Sequence, residues 1–329
     1  MDRRSFVTGL AVGGAVGAGA ASLLVKPKEV EVVKEVAAPA IAAERIEIAM
    51  VATWGRDFPG LGTGAQRFAQ RLSDVSDGRI QVTYYAAGER VGAFDSFDEV
   101  ASGNAQAYHA ADYYWKGKHP GWAYFTAVPF GLTYPEMKSW LHWMGGQELH
   151  DELAGEFGLK CVPMGNTGVQ WGGWFNKEIN SIQDLKGLKM RVYDGTGLAF
   201  GKLAGIAARK MPFSEVYPAM KAGLLDSMYT SSVSGVDAKA WEMLDYFTRI
   251  NIVGPVNMVN VNLGAWNNLP TKVQRAVLAV AAQMEDEMWN LAGDMERTSL
   301  AKLKANGLNV LDVDPAFRSD LDEMGRKLR

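Results

Sequence analysis

Apolar positions recur along this chain at period two and at helical spacing in alternating stretches, which predicts strands and helices in turn. Arg45 to Trp54 is predicted as a strand, Thr63 to Val75 as an amphipathic helix, and Arg79 to Tyr85 as a second strand. Phe94 to Ser102 is predicted as a helix and Ala105 to Ala111 as a strand. After aromatic-rich loops, Pro135 to Phe157 is largely helical, Leu159 to Met164 a strand, and Gly172 to Asn176 a further short one. Beyond Gly187, Leu188, Met190 and Val192 fall on one face and Lys189, Arg191 and Tyr193 on the other. Asp194-Gly195-Thr196-Gly197 closes that strand, and Leu198 to Ala204 is helical. Ser214 is expected to cap a helix through Ala222, with strands following at Asp226 to Thr230 and Gly254 to Leu263. Pro270, at the first helical position, opens a long helix to about Ala305, with Val273, Val277, Val280, Met284, Met288 and Leu291 at helical spacing. This alternation means α/β.

In open α/β sheets ligands gather at the carboxyl ends of strands. Those ends carry an unusual set of side chains here. The first strand ends at Trp54, and the third runs out through Asp112-Tyr113-Tyr114-Trp115. The fourth leads through Gly165-Asn166-Thr167-Gly168 to Gln170-Trp171. Arg191 ends another, and the strand from Asp226 runs out through Tyr229-Thr230-Ser231-Ser232. Convergence of these ends would make an aromatic-walled cleft with one fixed positive charge and several neutral hydrogen-bonding groups, suited to a small organic anion. A guanidinium matches a carboxylate with two parallel hydrogen bonds. For each aromatic alone, core packing or a surface anchor is the competing reading, and for Arg191 a surface or ion-paired arginine.

The N-terminus changes the picture. Asp2-Arg3-Arg4-Ser5-Phe6-Val7 has the pattern of a twin-arginine export signal, and Gly9 to Leu24 is small, apolar and uncharged. That run is short and weakly hydrophobic for a membrane span. Ala38-Pro39-Ala40 and Ala40-Ile41-Ala42 fit small-x-small cleavage sites after a charged spacer, Lys26 to Glu35. The competing reading is an uncleaved anchor with a stalk, carrying a scaffold or a sensor-linked binding module. The expected compartment is the periplasm. The lone cysteine, Cys161, lies in an apolar run and reads as a buried structural thiol.

Formal net charge is −3, and residues 1–40 hold five basic and four acidic groups, which leaves about −4 on the remainder. Such mild acidity argues against nucleic acid or an anionic membrane as partner. Enzymatic constellations are largely missing. His109, His119, His142 and His150 lack metal-ligand spacing, and no serine-nucleophile elbow is present. Gly60-Leu61-Gly62-Thr63-Gly64-Ala65 fits a loose dinucleotide fingerprint and supports an alternative, an exported nicotinamide-dependent oxidoreductase. Five residues separate Trp54 from Gly60 where that motif demands a tight turn, and no acid ends the second strand.

The chain resembles the periplasmic substrate-binding subunits of tripartite ATP-independent periplasmic (TRAP) transporters. The resemblance is carried by Gly187-Leu188-Lys189-Met190-Arg191-Val192, by Phe213-Ser214-Glu215-Val216-Tyr217 with Ala222-Gly223-Leu224-Leu225-Asp226, and by Val261-Asn262-Leu263-Gly264-Ala265-Trp266. Asp112-Tyr113-Tyr114-Trp115 and Asn166-Thr167-Gly168-Val169-Gln170 bring it nearest to the 2-oxoacid-binding branch. The resemblance implies a two-lobed, type II-like periplasmic binding protein with a long helix spanning the lobes. It implies no enzyme: a receptor closes over its ligand and delivers it to membrane subunits. Residues 1–42 would be export signal and spacer. Residues 43–168 with about 257–296 would form lobe I, and 169–256 with about 297–329 lobe II.

By that resemblance Arg191 pairs with the ligand carboxylate and Gln170 contacts the ligand. Trp54, Tyr113, Tyr114, Trp171 and Phe213 shape the pocket, with Thr230 and Ser231 beside it. No catalytic residue and no cofactor is expected, and Gln170 is the one candidate contact for a cation. The branch's cation-holding Glu-Trp pair after Asp226 is replaced by Tyr229-Thr230. One carboxylate-pairing arginine among many aromatics favours a monocarboxylate: a 2-oxo, 2-hydroxy or aromatic acid. The chain stops soon after Leu321-Asp322-Glu323, without a long swapped C-terminal helix, so a monomer is expected.

Overall fold

A computed structural model describes residues 44–126, 128–166, 170–253 and 256–328, without the side chains of 170, 171 and 251–253. The export signal, its spacer and the cleavage sites fall outside the described residues. No helix among the described residues is long and apolar enough to cross a membrane.

Two mixed sheets organise the chain. The first has the order β2-β1-β3-β10-β4, from β1 (Ile46–Ala52), β2 (Ile80–Tyr85), β3 (Ala107–Ala110), β4 (Leu159–Asn166) and β10 (Val256–Asn262). β1 runs parallel to β2 and β3, whereas β10 is antiparallel to β3 and β4. The second has the order β11-β9-β5-β8-β6-β7, from β5 (Gln170–Phe175), β6 (Lys189–Val192), β7 (Ala207–Lys210), β8 (Ser227–Thr230), β9 (Tyr246–Val253) and β11 (Asn309–Asp312). The chain therefore passes from the first sheet to the second between β4 and β5, and returns between β9 and β10.

Central strands are buried on both faces, as helices on either side of a sheet require. All four residues of β3 are buried, as are Met50, Val51 and Ala52 at the end of β1. The helix Thr271–Ala305, about 50 Å long, serves both sheets. Val273, Val277, Val280 and Met284 pack with Met50, Val162 and Val259 of the first. Farther along, Leu303 packs with Trp174 and Phe247 of the second.

Three strands and three helices lie beyond the sequence pattern, among them the short helices Ser232–Asp237 and Leu263–Asn268. β7 and β11 are sheet edges with half-exposed residues and no clean alternation. β9 was hidden because it mixes Thr248, Arg249 and Asn251 into an apolar run. Pro315–Leu328 adds a C-terminal helix that buries Phe317, Leu321 and Met324. The helical stretch expected over 135–157 is two helices, Tyr134–Trp143 and Gly146–Glu156, broken where Gly145 takes φ 87°. Ser214 does not cap a helix. A single 3₁₀ turn, Phe213–Glu215, begins after Pro212, and neither it nor the helix Val216–Lys221 has a side-chain cap.

The motif Gly60–Ala65 is a packing element. Gly60 has φ 77°, and a Cβ there would sit 2.8–2.9 Å from the Met295 and Met288 methyl groups. A Cβ on Gly62 would lie 2.1 Å from the Gly55 carbonyl. Three of its amides are bonded within the loop: Gly60 N donates to Thr63 Oγ1, Thr63 N to the Phe58 carbonyl and Ala65 N to the Leu61 carbonyl. Crowding at Gly60 and Gly62 leaves the loop without the open approach that a pyrophosphate needs.

Close approach between β5 and β9 depends on Gly172, where a Cβ would fall 1.7 Å from the buried Phe247 ring. Gly172→Ala should therefore lower unfolding free energy by about 1–3 kcal/mol, the usual cost of overpacking a rigid core. Urea denaturation of the two proteins checks this, and an unchanged midpoint contradicts it.

Candidate functional site

Ends of strands from both sheets meet around Arg191. Arg191 lies on β6, which pairs with β7 and β8, and is 2 % exposed. Its Nε donates to the Met211 carbonyl at 3.0 Å, which leaves the two terminal nitrogens as a fork. The guanidinium lies 5.6 Å from the Tyr193 ring centre and 5.4 Å from that of Phe213. Burial pushes its pKa down, partly offset by the surrounding tyrosines, yet an arginine stays charged. Among the described residues no carboxylate pairs with it.

A small cavity of about 10 Å³, lined by Trp54, Phe58, Leu61, Tyr113, Tyr114, Arg191, Tyr193, Phe213, Thr230 and Ser234, sits at this point. Trp54, Phe58 and Leu61 follow β1, and Tyr113 and Tyr114 occupy the 3₁₀ turn after β3. The other five lie in or after strands of the second sheet, so each sheet supplies half of the wall. The rings form a continuous chain across the gap. Trp54 lies 6.2 Å from Tyr114, Tyr114 4.8 Å from Tyr113, Tyr113 4.8 Å from Tyr193, and Tyr193 4.7 Å from Tyr229. Phe58 and Phe213 meet edge to face at 5.4 Å and separate this cavity from an outer recess of about 410 Å³.

Six of the nine residues expected at the site, Trp54, Tyr113, Tyr114, Arg191, Phe213 and Thr230, line the cavity. Gln170 and Trp171 begin β5, and their side chains lie outside the described residues. Ser231 does not line it. Its hydroxyl accepts from the Ser234 amide and caps the helix Ser232–Asp237. Phe58, Leu61, Tyr193 and Ser234 went unanticipated. Only Tyr193 had a signal, since it shares a strand face with Arg191. Asp112 turns away from the cavity and accepts from His150 Nε2 at 2.9 Å and Asn260 Nδ2 at 2.6 Å. Cys161 is buried beside it, and desolvation pushes its thiol pKa well up, so this is an inert structural thiol.

Two further contacts cross the gap. Lys116 Nζ donates to Thr196 Oγ1 at 3.0 Å, and Lys210 Nζ to the Tyr114 carbonyl. Asp194, buried at the start of the helix Gly195–Ala204, accepts from the Gly197 amide at 2.8 Å and the Tyr229 hydroxyl at 3.0 Å. Burial raises its pKa. A larger groove of about 920 Å³, lined by Tyr124, Phe125, Trp140 and Leu153, shares no residue with the Arg191 cavity. It carries glutamates at its edge and no cation, so an organic anion has nothing there to bind.

The profile described as bacterial extracellular solute-binding protein, family 7 (DctP), matches residues 52–328. A monocarboxylate 2-oxoacid-binding periplasmic protein of Nostoc sp. is 33% identical over 267 residues, 80% of this chain and 72% of that one. A TRAP periplasmic solute binding protein of Pseudoalteromonas atlantica, solved with bound sodium and pyruvate, is 29% identical with a TM-score of 0.79, covering 87% of this chain and 88% of that one. A TRAP transporter solute binding protein of Bordetella bronchiseptica, a mixed-occupancy dimer with copurified calcium and picolinate, has a TM-score of 0.83 at 24% identity, covering 87% and 85%. The two-lobed α/β architecture expected from the sequence is thereby shown.

The floor of the site also makes a prediction about acid. His109 is fully buried under Trp54, with ring centres 4.9 Å apart, and donates to Asn257 Oδ1 at 3.1 Å. Burial lowers its pKa to about 4. Because the folded value lies below the unfolded one of about 6.5, the contribution is complete above pH 6.5 and is lost as pH falls towards 4. It amounts to about 3 kcal/mol. His109→Gln keeps a donor for Asn257 and removes the titration. Its urea stability should fall less than the parent's between pH 6.5 and 4, and parallel curves contradict the assignment.

Proposed function

The chain belongs to bacterial extracellular solute-binding protein family 7, and on that premise we propose that it is the periplasmic receptor of a TRAP transporter, selective for a small organic monocarboxylate. One observation carries the reading: a buried guanidinium without an acidic partner, its terminal nitrogens free, at the meeting of two lobes. An isolated buried charge is costly, and a carboxylate that forks onto Arg191 relieves that cost with two charge-assisted bonds. Tyr113, Tyr114, Tyr193, Trp54 and Phe213 then pack the body of the acid, while the Thr230 and Ser234 hydroxyls offer hydrogen bonds. No second Lys or Arg lines the cavity, which disfavours a dicarboxylate. The relatives' pyruvate, picolinate and 2-oxoacids are ligands of this class.

Ten cubic ångströms hold one water and no organic acid, so the walls must part for entry and close afterwards. The two sheets suit such a movement, because the chain crosses between them only twice besides the long helix. We place lobe I at 43–168 with about 257–296, and lobe II at 169–256 with about 297–329. Gln170 and Trp171, at the first crossing, are proposed as further wall residues. The closed receptor delivers its acid to the transporter's membrane subunits.

Removing one partner of a desolvated charge pair costs about 2–5 kcal/mol, so Arg191→Ala should weaken binding about 30- to several-thousand-fold. Arg191→Lys should fall between, since it keeps charge but loses the fork. Calorimetric titration with pyruvate and picolinate measures this, and unchanged affinity in Arg191→Ala refutes the assignment. For export we propose the twin-arginine route through Arg3 and Arg4. The double change to Lys should leave the protein in the cytoplasm, whereas continued appearance in the periplasmic fraction points to another route.

A further inference from the structure

Two structural relatives hold calcium or sodium together with their acid, so the fit of such an ion to this chain's own residues is a direct test of kinship at the site. Hard cations of this kind take several oxygen ligands, commonly including carboxylates. Of the ten residues around the Arg191 cavity none is acidic. Their oxygens belong to three tyrosines, Thr230 and Ser234, all neutral. The stretches 167–171 and 251–255 add no acidic side chain, since they read Thr-Gly-Val-Gln-Trp and Asn-Ile-Val-Gly-Pro.

The acids nearby do not line the cavity. Asp194 accepts from the Gly197 amide and from the Tyr229 hydroxyl, and does not line the cavity. Glu296, on the long helix, accepts from Ser232. Asp237 faces the outer recess, on the far side of the Phe58–Phe213 contact. Meanwhile the guanidinium itself lies in the wall, where it repels any second cation. From the side chains that line the cavity a cation would therefore meet one like charge and no opposite one, and the ligand's own carboxylate is already paired with Arg191.

Resting on the receptor reading above, we infer that this protein binds its monocarboxylate without a metal ion. Arg191 takes the carboxylate directly, and neutral hydroxyls serve the remaining ligand oxygens. Tyr229, tied to Asp194, holds that acid away from the ligand as a hydrogen-bond acceptor. This chain thus recognises by donors what the relatives' structures hold beside an ion.

The test is calorimetric titration of the full receptor with pyruvate and with picolinate. One buffer contains EDTA and potassium as sole metal cation, the other added calcium or sodium. Dissociation constants agreeing within about twofold between buffers are expected. Binding that disappears on chelation and sodium removal, and returns with either ion, overturns the inference while leaving the receptor reading intact. Failure of 2-oxo, 2-hydroxy and aromatic acids alike to bind in every buffer overturns the receptor reading, and the inference with it. Native mass spectrometry of the complex gives an independent readout: a mass increment of acid alone supports the inference, and one of acid plus calcium or sodium opposes it.

Discussion

Everything at this site depends on a charge buried without a counter-charge. Arg191 is 2 % exposed, and the one polar bond recorded for it is from Nε to a main-chain carbonyl. The two ring faces near it, Tyr193 and Phe213, offer cation–π attraction, which contributes on the order of 1–2 kcal/mol when desolvated. That offsets only part of the several kcal/mol that desolvating an ion costs. A structural ion pair would cancel the remainder permanently and leave no driving force for a ligand. Its absence keeps stabilisation in reserve for an anion from outside.

The same constraint explains how the second sheet is built. Arg191 must be rigid to present its fork, so β6 is held between β7 and β8, with β5 beyond β8. Asp194, three residues on, starts the next helix by accepting from Gly197, and it also fixes the Tyr229 hydroxyl. A Cβ on Gly197 would lie 2.0 Å from that hydroxyl oxygen, so the glycine is what lets β8 and this helix share one acid. The tyrosine ring then supports Tyr193 at the cavity wall. A short polar motif, Asp194-Gly195-Thr196-Gly197, therefore does more than end a strand. It sets the position of the aromatic surface against which a ligand packs.

Much of this was legible in the sequence, and the exceptions have physical causes. Buried central strands such as β1 and β3 announced themselves by apolar density, and the long helix by its Val273, Val277, Val280 and Met284 stripe. Edge strands β7 and β11 did not, because half-exposed residues carry no alternation. Trp54, Tyr113, Tyr114 and Arg191 line the cavity, where the strand-end rule led one to look for them. Phe58 and Leu61 were missed because they lie in an irregular loop whose glycines looked like a phosphate cradle. The tertiary partners of those glycines, Met288 and Met295, lie more than two hundred residues away. Ser231 was taken for a contact and is a cap. Serine serves either purpose, and only the helix that follows it decides.

Dividing the wall between two sheets links affinity to movement. A ligand can shift an equilibrium only by binding one state better than the other. Arg191, Tyr193, Phe213, Thr230 and Ser234 belong to one side of the gap, and Trp54, Phe58, Leu61, Tyr113 and Tyr114 to the other. An acid held on Arg191 alone gains nothing from closure. An acid whose body also meets Tyr113 and Trp54 gains contacts available only when the sides are together. The lysine bonds Lys116–Thr196 and Lys210–Tyr114 add a fixed bias toward that state, independent of the ligand. On the proposed reading, closure would be a second reading of the ligand's shape, after Arg191 has read its charge. On that reading the Phe58–Phe213 contact would set its limit, because an acid too long for the inner cavity would hold those rings apart and forfeit the closed state.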